Sequence, residues 1–288
     1  MTAQREPVRG SSVDVLIVNF RTPALTVEAV RSALLSPAVG LVIVVDNASG
    51  DDSVDTLRAA FLAESRVLVI ESERNGGFGA GNNLAAKSGT SEYLLLLNSD
   101  ATIDPGAIDA LVAHHERFPR SGVTAPVVLS HGTTSQQLDS YGVFPTPTRI
   151  LLRRTSPVID LGSAEWVSGC SFLVERAVFH AMGGFDERIF MYLEDVLFCW
   201  QIRRRGLSVR ICTEATIQHR GGMSTDGSRS RSKLYGRAQD HYLEMTGVGT
   251  ITRLTVRAVR RLRTMARFGI HIRTSRPAAS STDPENSR

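Results

Sequence analysis

The first half of the chain alternates short apolar runs with stretches of helical spacing. Residues 13–19, 41–45, 67–70, 93–97 and 123–128 are runs rich in Val, Ile and Leu. Each has the length of a buried strand and is bounded by polar or turn-forming residues. Between them the spacing predicts helices. One covers residues 25–35, entered through Thr22 and Pro23. Another has Val54, Leu57 and Phe61 on one face, with Asp51 or Asp52 as its cap. A short helix follows a glycine-rich loop, and the next starts at Pro105 and carries Ile108, Leu111, Val112 and His115. Strands alternating with helices predict an α/β layer around a largely parallel sheet.

Three strand ends carry polar groups: Asn19, the pair Asp46-Asn47, and Asn98-Ser99-Asp100. In open α/β sheets ligands bind beyond the carboxyl ends of the strands, so three such ends on one edge make a polar crevice suited to a nucleotide. Each, taken singly, reads equally as an ordinary turn. The loop Asn75-Gly76-Gly77-Phe78-Gly79-Ala80-Gly81-Asn82-Asn83 lets backbone pass close to a ligand, and the helix after it would offer N–H groups to an anion. The loop lacks the GxGxxG order after a first strand and is no GxxxxGK[ST] loop, so it also reads as a plain turn.

The second half is less regular. Residues 129–165 are rich in Ser, Thr, Gln and Pro and predict loops with short strands. Residues 166–174 read as one strand with Gly169 inside it, a sign of close approach by backbone or ligand. A short helix over 176–182 ends at Gly183-Gly184. Met191-Tyr192-Leu193-Glu194-Asp195 then leads into a helix over 196–205, with the two acids at its N-terminus, where they also serve a plain capping role. Two short strands, 208–211 and 215–218, lead to His219, which alone reads as an ordinary surface or core histidine.

Length and charge bound the rest. A chain of 288 residues forms one large domain or two small ones, and its formal charge of +4 hides an excess of arginine near the C-terminus. Cys170, Cys199 and Cys212 have no metal or redox spacing and suit a reducing cytosol. No signal-peptide pattern opens the chain and no apolar run is long enough to cross a bilayer. A basic, serine-rich loop is expected at Ser228-Arg229-Ser230-Arg231-Ser232-Lys233. A helix is expected over 251–270, with Ile251, Leu254, Ala258, Leu262 and Met265 on one face and Arg253, Arg257, Arg260 and Arg267 largely on the other. Such a helix either packs on the domain with a solvated arginine face or lies on an anionic membrane surface. Residues 274–288 are expected to be disordered. A nucleic-acid partner is not expected, because no aromatic interleaving or binding module accompanies the arginines.

Taken together and in order, these segments resemble the family 2 glycosyltransferases of the GT-A fold, and within them the bacterial rhamnosyltransferase type. The motifs are Val18-Asn19-Phe20, Val45-Asp46-Asn47-Ala48-Ser49-Gly50-Asp51, the glycine-rich loop, Leu97-Asn98-Ser99-Asp100-Ala101, Trp166-Val167-Ser168-Gly169, Gly184-Phe185-Asp186-Glu187, Met191-Tyr192-Leu193-Glu194-Asp195 and His219-Arg220-Gly221-Gly222-Met223-Ser224. The resemblance implies a catalytic domain over 13–225 with a Rossmann-like, mostly parallel central sheet flanked by helices, and a basic helical extension over 226–288. It implies that Asp46, Asn47, Asn19 and Phe20 contact the base and ribose of a nucleotide-sugar donor. Gly77, Phe78, Gly81 and Asn82 would border the base and diphosphate, beside Asn98 and Ser99. Asp100 would hold a divalent metal, Mg²⁺ or Mn²⁺, with His219 completing the site. Asp195, with Glu194 beside it, would supply the base.

Two departures stand out: Asn98 is neutral where an acid is common, and Leu197 replaces a second acid often found after the pair. The implied reaction is inverting transfer of a sugar, rhamnose by the nearest resemblance, from a dTDP, UDP or GDP donor to a glycan or polyprenyl-linked acceptor. It would take place in the cytoplasm or at the inner membrane face, in cell-wall or polysaccharide synthesis. Two other readings stand beside it: an inactive nucleotide-sugar-binding protein of the same fold, and a sugar nucleotidyltransferase. The latter wants a basic, glycine-rich loop after the first strand, which Asn19-Phe20-Arg21 does not provide.

Overall fold

The computed structural model describes residues 12–152, 164–221 and 228–274. Its centre is an eight-stranded sheet in the order β3-β2-β1-β4-β9-β6-β10-β5. Here β1 is Val13–Asn19, β2 Val39–Asp46, β3 Val67–Glu71, β4 Tyr93–Leu97, β5 Ala101–Ile103, β6 Ser121–Ser130, β9 Ser171–Glu175 and β10 Ser208–His219. β1 is parallel to both β2 and β4, β2 to β3, and β6 to β10; only the pairings of β9 and of β5 are antiparallel. A small second sheet pairs β7 (Tyr141–Gly142) with β8 (Trp166–Val167). β1, β2 and β4 are buried on both faces, which is why they read as unbroken apolar runs.

Helices α1 (Pro23–Ala33), α2 (Ser53–Ala60), α3 (Phe78–Ala86) and α4 (Ala107–Arg117) connect the strands of the first half. α5 (Pro147–Leu152) lies in the stretch whose sequence shows no clear period, and α6 (Arg176–Ala181) and α7 (Glu194–Arg204) follow. The chain steps outward from β1 to β2 and β3, then returns to place β4 on the other side of β1. That reversal is the switch point at which α/β sheets open a ligand crevice beyond their carboxyl ends.

Several expectations change in detail. The single strand over 166–174 is two strands, β8 and β9, split by a turn at Ser168–Cys170. The two strands over 208–218 are one, β10, with a register shift between Cys212 and Thr216 where the apolar pattern broke. β5 was not foreseen, because three residues carry no readable period. The basic loop at 228–233 is instead the start of α8 (Ser228–Met245), which packs on α7 and on α9 (Thr250–Thr274). Residues 222–227 and 275–288, and the side chain of Arg267, lie outside the described residues, and with them Gly222, Met223, Ser224 and most of the expected disordered tail.

One buried ion pair ties the start of the sheet to its far half. Asp14 in β1 is 1% exposed and meets the Arg176 guanidinium at 2.6 Å. Asp14 also accepts from the N–H groups of Leu41 and Ser91 and from the Ser91 hydroxyl. Arg176 donates further to the carbonyls of Ser91 and Ala86. Both ions are therefore surrounded by partners, the condition under which a buried pair is tolerated.

Candidate active site

At the ends of β1 and β2 a closed polar network forms. The Asn19 amide donates to Asp46 Oδ2 at 2.7 Å, and its carbonyl oxygen accepts from Thr26 Oγ1 at 2.7 Å. Asp46 also accepts from the Ser49 hydroxyl and backbone N–H. Ser49 in turn holds Arg21, accepting from its N–H and, through its carbonyl, from Nε. The Arg21 guanidinium stands 5.1 Å from the centre of the Phe20 ring. Asn47 reaches the other way, to Asn75 Oδ1 and the Gly77 carbonyl, and accepts from the Gly76 N–H. The end of β2 is thus joined to the glycine-rich loop. Asn19, Asp46 and Asn47 are all buried, so their rigidity comes from these bonds.

The glycines of that loop are largely explained by packing. Gly77 has φ +87, and a Cβ there would lie 1.9 Å from the Phe190 carbonyl oxygen. Gly81 faces Val18 of β1, where a Cβ would meet the Val18 methyl carbons at 2.8 Å. The Phe78 N–H is already bonded to the Phe190 carbonyl, and the Asn82 amide turns back to the Phe78 carbonyl. These contacts press α3 against β1 and against the segment before α7.

At the end of β4, Asp100 is 7% exposed and its Oδ1 lies 3.2 Å from His219 Nε2. β10 delivers His219 to this place beside β5. Asn98 Nδ2 is 3.3 Å from the same nitrogen, and Ser99 meets Thr22 through their hydroxyls at 3.2 Å. Burial alone would raise the Asp100 carboxyl, but the hydrogen bond and charge of His219 outweigh it and hold it below its ordinary value. Gln137, from the polar stretch after β6, grips His219 twice: its Oε1 lies 2.9 Å from Nδ1, and its amide donates to the His219 carbonyl. With Nδ1–H donating to Gln137 Oε1, Nε2 is the ring nitrogen left to face Asp100.

The acidic pair opens α7. Asp195 is half-buried; its Oδ2 accepts from the Gly169 N–H at 2.8 Å and its Oδ1 from the Val196 N–H. Burial raises its carboxyl above the ordinary range, with those two donors pulling the other way. Glu194 is buried beneath α3, close to Gly79, and its Oε2 has no hydrogen-bond partner among the described residues. Burial first, and then the charge of Asp195, push its carboxyl well above the usual value.

One short turn joins Asp195 to the end of β4, two residues before Asp100. Gly169 donates to Asp195, and the next carbonyl, Cys170, accepts from the Asn98 N–H at 2.9 Å. The buried Cys170 thiol, pushed up to about 12 chiefly by desolvation, feels the charges of both aspartates. Tyr235 of α8 packs beside Tyr192, their ring centres 6.2 Å apart, which brings α8 next to the residues just before the acidic pair.

The backbone is strained at the same places. Among the described residues the non-glycine positions with positive φ are Arg21, Ala48, Tyr192 and Leu193. They follow Asn19-Phe20 and Asp46-Asn47 and immediately precede Glu194-Asp195. Such conformations cost about 1–3 kcal/mol each and persist where the surroundings enforce them, as at binding and catalytic sites.

The unpaired Glu194 makes a prediction about stability. A carboxyl titrating higher in the folded chain than in the unfolded one favours folding below its unfolded value. That contribution is lost as pH rises through the folded value. Wild-type protein should therefore lose thermal stability on going from the ordinary carboxylate range to alkaline pH. Glu194→Gln should show a shallower loss, since its own contribution is removed while Asp195, Glu175 and the raised buried thiols and phenols still contribute in that direction. Melting curves across that range check this; identical pH profiles for the two proteins would remove the penalty from Glu194.

A mostly parallel α/β sheet with a polar switch-point crevice, a buried Asp–His pair and an acidic pair opening a nearby helix defines the GT-A class. The chain belongs to the family described as glycosyl transferase family 2, whose pattern it matches over residues 14–182. It is 29% identical over 208 residues to the N-acetylglucosaminyl-diphospho-decaprenol L-rhamnosyltransferase of Mycobacterium tuberculosis, covering 62% of this chain and 66% of that protein. The match thus spans about two thirds of the relative's length. It is 23% identical over 249 residues to the low-salt glycan biosynthesis hexosyltransferase Agl10 of Haloferax volcanii, covering 82% of this chain and 76% of that one. Among solved structures, GalNAc-T7 with UDP, GalNAc and Mn²⁺ superposes with a TM-score of 0.59 at 17% identity, covering 92% of this chain and 58% of that one. At that identity the likeness speaks for the fold.

Two other features stand apart from the carboxylates. A depression of about 680 Å³ lies beside Gln218 and residues 131–134 and is lined by none of the acids discussed. His114, Cys212 and Glu214 form a cluster whose ligand atoms lie within 4.8 Å of one another, in the bulged middle of β10 and on α4.

Proposed function

We propose that this protein transfers a sugar from a nucleoside-diphosphate donor to a hydroxyl of a glycan or lipid-linked acceptor, with inversion at the anomeric carbon. The carrying observation is that the Gly169-Cys170 turn links the acidic pair to the end of β4: Gly169 N–H donates to Asp195, and the Cys170 carbonyl accepts from the N–H of Asn98, two residues before Asp100. Asp195 acts as base on the acceptor hydroxyl. It is the more accessible of the acidic pair and is oriented by the Gly169 N–H, whereas Glu194 is enclosed beneath α3. A base with a raised carboxyl is better matched to neutral pH than an ordinary aspartate. Asn19, Phe20, Asp46 and Asn47 bind the nucleoside at the switch point, and the start of α3 borders the diphosphate. The catalytic unit is residues 13–225, with 226–288 as a basic extension.

The Asp100–His219 pair fits a divalent cation. Neighbouring ligands of an octahedral ion bonded at about 2.1 Å lie about 3 Å apart. Asp100 Oδ1 and His219 Nε2 are separated by 3.2 Å. Bound there, Mg²⁺ or Mn²⁺ would supply charge to offset the departing diphosphate. Gln137 fixes the histidine tautomer that such binding needs. Rhamnose as the sugar and a polyprenyl-linked acceptor are supported by the name of the mycobacterial relative. A nucleoside diphosphate with Mn²⁺ is supported by the similarly folded GalNAc-T7, whose crystal structure contains UDP and Mn²⁺.

A ligand that binds only the folded state raises its melting temperature. Nucleoside diphosphates with Mn²⁺ should therefore stabilise the wild type, and the base giving the largest shift identifies the donor. Asp100→Asn should lose the metal-dependent part of that shift; an undiminished shift in this variant would remove Asp100 from the metal site.

A further inference from the structure

Of the two placements its sequence allows, the last helix does not take the one with a solvated arginine face. Arg253 pairs with Glu244 at 3.1 Å, Arg257 with Asp240 at 3.0 Å, and Arg260 with Asp240 and Gln239, each at 2.9 Å. Arg263 donates to the carbonyls of Ile150 and Leu151 in α5. The arginine row therefore fastens α9 to α8 and α5, with Val256 buried beside it. The apolar row faces outward: Ile251 is 82% exposed, Leu254 54%, Leu262 66% and Met265 71%, and Ala258 between them is exposed too. Their spacing of three or four residues makes one stripe, about 21 Å long at 1.5 Å per residue. Leu152, at the end of α5 next to the carbonyls that Arg263 holds, is 58% exposed.

A continuous exposed apolar stripe marks an interaction surface, and its borders indicate the partner. Arg261 is exposed on α9 at the edge of the stripe, next to Leu262. Lys233 and Arg237 are exposed on α8. By helical spacing they share the side of α8 that carries Asp240 and Glu244, the residues that engage α9. With Asp240 and Glu244 paired to the α9 arginines, Arg261, Lys233 and Arg237 leave this side with a cationic excess. We propose that this stripe docks on an anionic lipid bilayer: α9 lies in the plane of the interface, its apolar row at the headgroup–acyl boundary and Arg261, Lys233 and Arg237 on the headgroups. A second copy of the chain is a poorer occupant. A two-fold pairing of identical stripes would bring the same cationic borders together. Among the described residues no helix is long and apolar enough to cross a membrane, so this surface attaches the protein without anchoring it. The inference does not need the transferase reading, although a lipid-linked acceptor would give it a use.

The test is sedimentation of the full chain with vesicles of phosphatidylcholine alone or mixed with phosphatidylglycerol. Wild type should partition onto the mixed vesicles, release with salt, and bind phosphatidylcholine weakly. Leu254→Glu/Leu262→Glu, both at exposed positions, should lower partition at least about tenfold, since insertion scales with buried apolar area. Its melting curve, and its thermal shift with nucleoside diphosphate and Mn²⁺, should match wild type, which keeps this result separate from the fate of the active-site proposal. Equal partition of wild type and variant would overturn the inference, as would no binding by wild type. So would a wild-type dimer in light scattering that the variant converts to monomer.

Discussion

Asp195→Asn should lower the rate of sugar transfer by about 10²–10⁴-fold, the usual contribution of a positioned general base, while nucleoside diphosphate binding stays near wild type. The asparagine keeps the size of the side chain, and its carbonyl oxygen can still accept from the Gly169 N–H that Asp195 Oδ2 now uses. What it lacks is a basic oxygen for the acceptor proton. The loss should appear in kcat rather than in donor affinity. The pH profile carries the same signature. Burial raises the Asp195 carboxyl, so transfer by the wild type should fall on acidification at a pH above the ordinary aspartate value, as the base takes up its proton. Steady-state transfer against pH, with calorimetric titration of the nucleotide, measures both. Wild-type turnover in the variant would remove the base from this residue.

Asp14→Ala should cost about 3–5 kcal/mol of stability, because it strands a guanidinium that is only 15% exposed. Arg176 makes its ion pair at 2.6 Å and is otherwise bonded to the Ser91 and Ala86 carbonyls. Removing the carboxylate also leaves the Ser91 N–H and hydroxyl without their acceptor inside the sheet. Arg176→Ala should be comparably damaging, since it leaves the aspartate as the uncompensated charge. Replacing both with apolar residues of similar volume should recover most of the loss, because the pair itself contributes little beyond a well-packed apolar substitute. Urea unfolding of the three variants checks this; a loss below about 1 kcal/mol for Asp14→Ala would show that water reaches the arginine in its place.

The sheet was legible because β1, β2 and β4 are buried on both faces and so carry no polar alternation to confuse them. Their polar ends were legible for the same reason, since each stands out where an apolar run stops. The pairing of Asp100 with His219 came only through the family resemblance, because nothing local connects residues so far apart in sequence. Gln137 was missed altogether: it is one glutamine in a polar stretch, and its partner lies 82 residues away. The strained backbone at Arg21, Ala48, Tyr192 and Leu193 leaves no mark in residue type, since glycine or asparagine would be the usual sign of positive φ. The orientation of α9 stayed open because its apolar period fits a buried face and an outward one equally. Asp240, Glu244 and the α5 carbonyls, which turn the arginines inward, lie on other elements.

The most direct test of a metal-assisted transfer site at the ends of β4 and β10 is anomalous diffraction at the manganese edge, from crystals holding Mn²⁺ and the preferred nucleoside diphosphate. The peak should fall between Asp100 and His219, with the diphosphate against it and Asp195 across the same cleft. Ordered nucleotide with no manganese there, or manganese only at His114, Cys212 and Glu214, would contradict it.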